Sequence, residues 1–332
     1  MLTRWLQRQW FEQRRLSPAL WLLLPLTGLF IVLAALKRHL TKPEKLPVPV
    51  IVVGNITVGG AGKTPLTLWL AQQLSARGWK PGIVSRGYGG ENNLPRAVTF
   101  DASPDQVGDE PLLLARRSGV PVWVARDRAA AGRALLAAQP EVNIILCDDG
   151  LQHTKLARDI ELAVFDGRGA GNGWRLPIGP LREPWSRLVT VDAIICNNFS
   201  GQQMPPQVPQ FAMRLQAASF YRLDDPQQTC LAGQLAGKKL YAMAGIGDPK
   251  RFFNTLETLG LSFEAHPFPD HHAYSAADLS FAQDGILLMT EKDAVKCAGL
   301  ALGETWVLPV DAELAPALID LILEKLRGRQ AA

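Results

Sequence analysis

The sequence predicts an α/β protein: a P-loop-type, doubly wound parallel sheet with a second, smaller α/β lobe and an N-terminal membrane-associated helical segment. Three observations lead to this prediction. A glycine-rich stretch stands between a strand-like run and a helix-like run, short apolar runs alternate with helical patterns, and an almost charge-free stretch lies near the N-terminus. Alternating strands and helices are typical of a parallel sheet that is covered on both faces.

Length and composition suggest the domain division. The chain has 332 residues, which is enough for two compact domains. We expect a helical segment over 1–45, a P-loop core over 46–210 and a second lobe over 211–332, whose C-terminal helix could pack back on the core. The net charge of +4 is too small to favour a nucleic-acid partner. The four cysteines form no C-x-x-C pair and indicate reduced thiols in a cytosolic compartment.

The N-terminal stretch SPALWLLLPLTGLFIVLAAL, residues 17–36, is roughly long enough to span a bilayer. Basic residues flank both ends, so a single span would place one basic cluster outside, against the positive-inside tendency. Pro25 and Gly28 interrupt the stretch. We therefore expect a kinked or paired helix lying in the cytoplasmic leaflet, with the basic flanks on anionic headgroups. A true span is the alternative, while aromatic residues such as Trp10 and Trp21 near the ends disfavour a buried core helix.

From residue 46 the chain alternates between strand and helix patterns. A Pro- and Gln-rich segment over 200–210 indicates a boundary, after which strand, turn and helix patterns recur. The predicted strands of the core are Pro49–Gly54, Gly82–Ser85, Val120–Ala125, Asn143–Cys147, Glu161–Phe165 and Ala193–Asn197. The predicted helices are Lys63–Arg77, Asp109–Arg117, Arg126–Gln139 and a short one near Trp185–Leu188.

The stretch VGNITVGGAGKTP predicts a phosphate-binding loop. Its backbone N–H groups would surround the phosphates, Lys63 would add positive charge, and the Thr64 hydroxyl would ligate Mg²⁺. The usual pattern has glycine where this chain has Thr57, which the loop tolerates if Gly59 and Gly60 take left-handed conformations. A glycine turn with a chance Lys-Thr pair is the alternative. The predicted nucleotide-binding residues are Thr57, Val58, Gly59, Gly60, Ala61, Gly62, Lys63 and Thr64.

Two acidic pairs accompany this loop. Asp148 and Asp149 end the apolar run NIILCDDG, as in a Walker B strand that supplies a metal ligand. In VGDEP, Asp109 or Glu110 could accept a hydroxyl proton or assist Mg²⁺. Both pairs could instead cap helices, because Asp is common at helix N-termini.

Several loops next to predicted strand ends could bind an anionic acceptor or complete the site. SRGYGG, ARDRAAAGR and GPLREPWSR are basic, and arginine forks match phosphate oxygens. FPDHHAYS holds adjacent histidines, one of which could tune a general base. Solvated surface loops are the simpler interpretation of all four.

Taken in order, the motifs GNITVGGAGKTP, SRGYGG, VGDEP, CDDGLQH, GPLREP, FPDHHAY and TEKDAVK resemble the tetraacyldisaccharide 4′-kinase family, the lipid A 4′-kinases of Gram-negative bacteria. The resemblance covers most of the chain, from Trp10 to about Val310. It implies two α/β/α units joined by a short β linker, with the site in the cleft between them and the N-terminal helices at the inner membrane. It also implies transfer of the ATP γ-phosphate, with Mg²⁺, to the 4′-hydroxyl of a tetraacylated glucosamine disaccharide 1-phosphate.

The resemblance also implies site residues. Asp109 would be the general base and His271 its partner, although His272 could align instead. Lys63 would act on the phosphates. The implied metal or site-building residues are Thr64, Glu110, Asp148 and Asp149. Those expected to bind substrate or shape the site are Arg86, Tyr88, His153, Arg182 and Glu183.

Two other classes of protein remain as alternatives. A membrane-associated P-loop ATPase acting as an assembly or switch factor would hydrolyse ATP to drive a partner. The guanine-specifying Asn-Lys-x-Asp motif of a GTPase is poorly matched by TEKDAV. A binding domain with a degenerate loop is disfavoured because Lys63, Thr64 and Asp148 are all present.

Overall fold

The computed structural model describes residues 2–12, 16–87, 94–198, 204–217 and 219–330. Near the N-terminus, a Leu-rich run with Pro at the second helical position begins the longest helix of this segment. That helix has the basic residues Lys37, Arg38 and His39 in its last turn, where positive charge interacts favourably with the helix dipole. The N-terminal helices are α1 (Leu2–Phe11), α2 (Pro18–Trp21) and α3 (Leu24–Leu40).

Much of the apolar surface of α3 is exposed. Leu29, Val32, Leu33 and Leu36 are each more than half exposed, and Thr27 is the buried residue of the helix. No helix in the described part of the chain is both long and apolar enough to cross a membrane.

The P-loop core is a mixed sheet in which the inner strands are parallel. Its inner strands are nearly continuous apolar runs because helices cover both faces. The elements of this part are β1 (Val50–Gly54), α4 (Lys63–Ser75), β2 (Pro81–Ser85), β3 (Arg96–Ala97), α5 (Pro104–Val107), α6 (Asp109–Ser118), β4 (Val122–Val124), α7 (Arg128–Ala138), β5 (Ile144–Asp148), β6 (Ile160–Asp166), a 3₁₀ helix (Trp185–Thr190), β7 (Ala193–Asn197) and β8 (Gln210–Ala217).

A second sheet follows and shares the parallel character at its centre. Its elements are β9 (Phe220–Arg222), β10 (Thr229–Cys230), α8 (Ala232–Leu235), β11 (Leu240–Ala244), α9 (Pro249–Thr258), β12 (Glu264–Pro267), a 3₁₀ helix (Ala277–Ala282), β13 (Ile286–Thr290), α10 (Glu291–Ala294) and β14 (Thr305–Leu308). The chain then ends with β15 (Val310–Leu314) and α11 (Ala317–Gln330).

Within the described residues, nine strands form the first sheet in the order β15-β8-β7-β6-β1-β5-β2-β4-β3. The edge strands β3 and β15 are antiparallel to their neighbours, and the other pairs are parallel. The second sheet has the order β10-β9-β14-β13-β11-β12, with β11 to β14 parallel. The strand order reverses direction at β1, which lies between β5 and β6, and ligands collect at the carboxyl edge of such a switch point.

Alternate residues of β1 serve the two faces of the first sheet. Ile51 and Val53 pack in the core under α4, which contributes Leu66 and Leu70. On the other face, Val50 and Val52 pack with residues of α7. Each face of β1 therefore has its own helix layer, and β1 is held rigidly where it enters the glycine-rich loop.

The chain passes from the first sheet to the second and later returns to the first. The sequence placed the lobe boundary at residue 210, and in the structure β8 begins at that residue and pairs with β7. The last strand, β15, also returns to the first sheet and pairs with β8. Leu318 and Ile319 of α11 pack in the same core as Leu66 of α4. The chain thus crosses between the sheets twice, after β8 and after β14.

The predicted element bounds differ from the observed ones by a few residues at most in the core. The strand predicted over Val120–Ala125 is β4, which is shorter because Pro121 precedes it. The helix predicted from Arg126 begins at Arg128 because Asp127 is its N-cap and accepts bonds from the amides of Ala129 and Ala130.

Candidate active site

The glycine-rich loop links β1 to α4, as the sequence predicts for a phosphate loop. Positive φ angles occur at Gly59 (96°) and Gly62 (97°). The expectation that Gly60 takes such a conformation was wrong; Gly62, the N-cap residue just before α4, takes it instead. The amino terminus of α4, with Lys63 and Thr64, therefore opens directly into the cleft.

Thr57 fits its position because the backbone there is strand-like. It forms an isolated antiparallel bridge with Leu181. On either side, the amide of Val58 donates to Pro180 (2.9 Å) and the amide of Arg182 donates to Ile56 (2.7 Å). The GPLREP segment thus clamps the start of the loop in an extended form, and glycine is not required there.

The two aspartates after β5 differ in environment. Asp148 is fully buried, and burial, with the nearby Glu110 charge, raises its pKa to about 7. Asp149 lies 3.4 Å from Lys63 Nζ and 3.3 Å from Arg182 Nη1. Burial opposes its ionisation, yet these cations outweigh it and lower the pKa of Asp149 to about 2. Asp149 is therefore ionised at neutral pH, whereas the pKa of Asp148 lies close to neutral pH.

Asp109 and His271 meet across the cleft. Asp109 begins α6 in the first lobe, and His271 follows β12 in the second. Nδ1 of His271 lies 3.0 Å from Oδ2 of Asp109. This hydrogen bond raises the pKa of His271. Burial would raise the pKa of Asp109, but the bond to His271 and the charge of Lys292 hold it below its usual value.

Of the two adjacent histidines, the structure brings His271 to Asp109. His272 packs against the rings of Phe268 and Tyr274 instead. His271 has a φ of 59°, in the left-handed region that non-glycine residues seldom adopt. Among the described residues, two of the three non-glycine residues with positive φ, Asp149 and His271, lie in this cleft. Strained backbone of this kind is common at functional sites.

Lys292 was not singled out from the sequence, although it stands in the TEKDAVK motif. Its Nζ lies 3.1 Å from Glu110, 3.2 Å from Asp270 and 3.8 Å from Asp109. Burial would lower the pKa of Lys292, but these carboxylates, Glu110 foremost, raise it overall. Lys292 is therefore the cation that lets three carboxylates share one small region. The proximity of residues that lie so far apart in the chain is not visible in a single sequence.

The remaining predicted residues lie around the same cleft with distinct contacts. His153 Nε2 accepts the amide N–H of Arg128 (3.2 Å), and burial with the Arg128 charge lowers its pKa to about 4. Glu183 accepts from Gln152 (2.7 Å) and lies 3.2 Å from Arg187. Arg86 lines the cleft, and Tyr88 lies outside the residues that the structure describes.

The cleft between the lobes has a volume of about 1810 Å³. The P-loop forms one wall, and a loop of the second lobe lies close to it. Gly247 of that loop is so near that an added Cβ would lie 3.6 Å from the amide nitrogen of Gly60. A third wall is apolar and comes from the N-terminal helices, including Phe11, Phe30 and Leu33. One cavity therefore joins phosphate-binding, acid–base and apolar surfaces.

The residues of this site fit a magnesium ion. Oδ2 of Asp148 is buried without a hydrogen-bond partner among the described residues, as expected of an oxygen that a cation would satisfy. Its other oxygen accepts from Thr67 (3.3 Å), one turn beyond Thr64 on α4. No cluster of three or more acidic, histidine or cysteine ligands occurs in the described ranges. Mg²⁺ does not require one, because it usually keeps waters and binds phosphates with one or two protein oxygens.

Known proteins resemble this chain over most of its length. A family model described as "Tetraacyldisaccharide-1-P 4'-kinase" matches residues 19–327. The tetraacyldisaccharide 4'-kinase of Dechloromonas aromatica (strain RCB) is 69% identical over 333 residues, covering 100% of each chain. That of Methylobacillus flagellatus is 49% identical over 332 residues and covers 98% of this chain and 96% of the relative.

A solved structure is also similar. LpxK from Aquifex aeolicus, an "apo" form in complex with ATP, superposes with a TM-score of 0.79 and is 29% identical, covering 93% of this chain and 99% of that one. Together with the family match, this similarity confirms the predicted α/β fold, the kinase class and the use of ATP. The chain therefore belongs to the tetraacyldisaccharide-1-phosphate 4'-kinase family.

Proposed function

We propose that this chain transfers the γ-phosphate of ATP to the 4′-hydroxyl of a tetraacylated glucosamine disaccharide 1-phosphate, in lipid A biosynthesis at the cytoplasmic face of the inner membrane. The observation that carries the proposal is the 3.0 Å contact between Asp109 and His271. It places a carboxylate and its partner across a cleft that also contains the P-loop. Such a group can take a hydroxyl proton as the oxygen attacks phosphorus.

In this mechanism Asp109 is the general base. Its lowered pKa keeps it ionised at neutral pH, ready to accept the proton of the acceptor hydroxyl. The freed oxygen bonds to the γ-phosphorus as the bond between that phosphorus and the β–γ bridging oxygen breaks, and ADP leaves with that oxygen. His271 holds the carboxylate in place and offsets its charge. Lys63 and the amino terminus of α4 stabilise the charge on the transferred group.

Thr64 and Asp148 are the residues best suited to hold Mg²⁺, with Asp149 and Glu110 as further candidates. Asp149 is held by Lys63 and Arg182, and Glu110 by Lys292, so both already have cationic partners. When bound, the ion offsets the charge of the phosphates and polarises the phosphoryl oxygens.

The acceptor would enter from the side of the N-terminal helices. Phe30 and Leu33 of α3 line the cleft, while Leu29 and Val32 of the same helix are exposed. An apolar helix with basic residues at its end suits the interface of a membrane with anionic headgroups. We infer peripheral or monotopic attachment, in which acyl chains remain among lipids and the sugar reaches the base.

The function is tested with the full chain in detergent micelles, ATP, Mg²⁺ and the tetraacyl disaccharide 1-phosphate. The expected product carries one added phosphate at the 4′ position, identified by mass spectrometry. An acceptor already phosphorylated at that position is the matched control and gains nothing. If ATP is consumed at the same rate without the lipid, the chain is instead an ATPase of the assembly or switch class.

A further inference from the structure

Three consecutive carbonyl groups of the phosphate loop each accept a hydrogen bond from a side chain. Gly59 O accepts from Asn55 Nδ2 (3.2 Å), and Ala61 O accepts from Asn197 Nδ2 (3.1 Å). Between them, Gly60 O accepts from Arg168 Nη2 (2.9 Å). The three donors come from the carboxyl ends of β1 and β7 and from the turn after β6. These strands lie side by side in the order β7-β6-β1.

Peptide planarity converts these bonds into control of the amides. In a trans peptide, the carbonyl of one residue and the N–H of the next point in opposite directions. Holding the carbonyls of residues 59, 60 and 61 therefore directs the N–H groups of Gly60, Ala61 and Gly62 away from the three donors. Those amides are the groups by which a loop of this kind binds phosphate. We propose that Asn55, Arg168 and Asn197 are positioning residues that fix the amides of the loop for the phosphates of ATP.

The burial of the two asparagines favours this role over a purely structural one. Asn55 and Asn197 are 0% and 2% exposed. Oδ1 of Asn55 is buried and has no partner among the described residues, and a buried oxygen without a hydrogen bond destabilises the fold. An apolar residue would avoid this destabilisation, so the presence of asparagine favours a role for its Nδ2 donor. Asn55 Nδ2 also lies 3.3 Å from Thr57 Oγ1. The side chain of Asn55 therefore contacts Thr57, the residue that replaces the usual first glycine, as well as the carbonyl of Gly59.

Arg168 is itself held from behind. Asp166, at the end of β6, is 4% exposed and accepts from Arg168 through the backbone amide, Nε and Nη2. The same carboxylate lies 2.8 Å from Arg251 Nη2, at the start of α9 in the second lobe. The planar guanidinium can bridge Asp166 and Gly60 at once, which a single ammonium group does less well. Asp166 thus orients the guanidinium of Arg168 toward Gly60 and also contacts Arg251 of the second lobe.

The test measures nucleotide binding directly, by calorimetry on the full chain, and so does not depend on the lipid reaction. Asn55→Leu, Asn197→Ala and Arg168→Ala are each expected to weaken ATP and ADP binding by about 10-fold, as for one lost hydrogen bond to a loop that binds an anion. The KM for the lipid acceptor should not change. Arg168→Lys keeps the charge but not the fork, so it should not restore affinity.

Asn143→Ala is the matched control, because that asparagine also bonds a backbone group, the amide of Lys80, at the opposite edge of the sheet. Unchanged ATP affinity in Arg168→Ala and Asn55→Leu would overturn the proposal. Equal losses for ATP and for the acceptor, or full restoration by Arg168→Lys, would also overturn it, because they would indicate general damage or a charge effect alone. Arg168 is partly exposed, so its variants should fold and still test the effect on ATP affinity if a variant of a buried asparagine does not fold.

Discussion

His271 Nδ1 lies 3.0 Å from Asp109 Oδ2, although 162 residues separate the two in the chain. Asp109 is fixed at the start of α6 in the first lobe, and His271 stands in a loop of the second. The pair therefore exists only when the lobes are together. In the mechanism proposed above, bringing the two lobes together assembles the proposed base and excludes water from the γ-phosphate.

Replacing Asp109, the proposed base, should separate catalysis from nucleotide binding. We expect Asp109→Asn to lower kcat by about 10²-fold or more, because the amide cannot accept the hydroxyl proton. His271→Gln should cost less, since Asp109 keeps the nearby charge of Lys292. Calorimetry should show unchanged ATP affinity in both. Asp105→Asn, at an exposed position in α5, is the control. Wild-type turnover in Asp109→Asn would remove this residue from the chemistry.

Removing Lys292 should move the pH–rate profile. Its charge lowers the pKa of Asp109, so Lys292→Met should raise that pKa and leave less ionised base at a given pH. We expect the acidic limb of kcat to shift to higher pH by about one unit, with Lys292→Arg restoring most of it. Lys239→Met, which breaks an exposed ion pair in the same lobe, is the control. A uniform fall in kcat without a shift would argue that Lys292 acts only on packing.

Asp148 should make the stability of the metal-free protein depend on pH. Its pKa is raised from 3.8 to about 7, so the folded state binds this proton more tightly than the unfolded state. Stability should therefore fall as pH rises from about 4 to about 7. Asp148→Asn should lose that part of the dependence, as seen by thermal unfolding across this range. Adding Mg²⁺ and ATP should stabilise the wild type more than the variant at pH 7. Parallel curves for the two proteins would contradict a buried titrating carboxyl.

The exposed face of α3 should carry membrane binding. Leu29 and Val32 are 54% and 61% exposed and do not line the cleft. Leu29→Glu and Val32→Glu should each weaken binding to vesicles with anionic lipids by about 10-fold, as for loss of one buried aliphatic side chain. Turnover of detergent-dispersed acceptor should be unaffected. Leu231→Glu, at an equally exposed site in the second lobe, is the control. Vesicle binding that survives both changes would place the contact elsewhere.

Local patterns predicted most of the first lobe. Apolar runs such as Val50–Gly54 and Ile144–Asp148 are strands buried on both faces, and the glycine loop connects strand to helix as its motif requires. The comparisons confirm the fold and the kinase class. The general-base role of Asp109 came from the family resemblance, because an acidic pair before Pro-Leu is equally a helix start. That role stays a prediction until it is measured.

What the sequence did not reveal depends on contacts between distant segments. Lys292 and Arg168 are ordinary basic residues in their local sequence, and their roles appear only when the sheet edges bring them to Glu110 and Gly60. His153 was expected to bind substrate or shape the site; its acceptor nitrogen holds the start of α7 through the amide of Arg128. In each case the informative fact is a distance, which residue type alone cannot supply.

The return of β15 and α11 to the first sheet has a consequence for synthesis of the chain. A ribosome releases the P-loop strands early, but the strand that covers β8 and the helix that covers α4 are made last. Until then Leu66 and its neighbours lack their final cover, and the edge of β8 is open to pairing with other chains. The first sheet and its core therefore cannot be completed before the second lobe has been synthesised. A nascent chain cut short near residue 309 would expose both and be a substrate for chaperones or proteases rather than a partial enzyme.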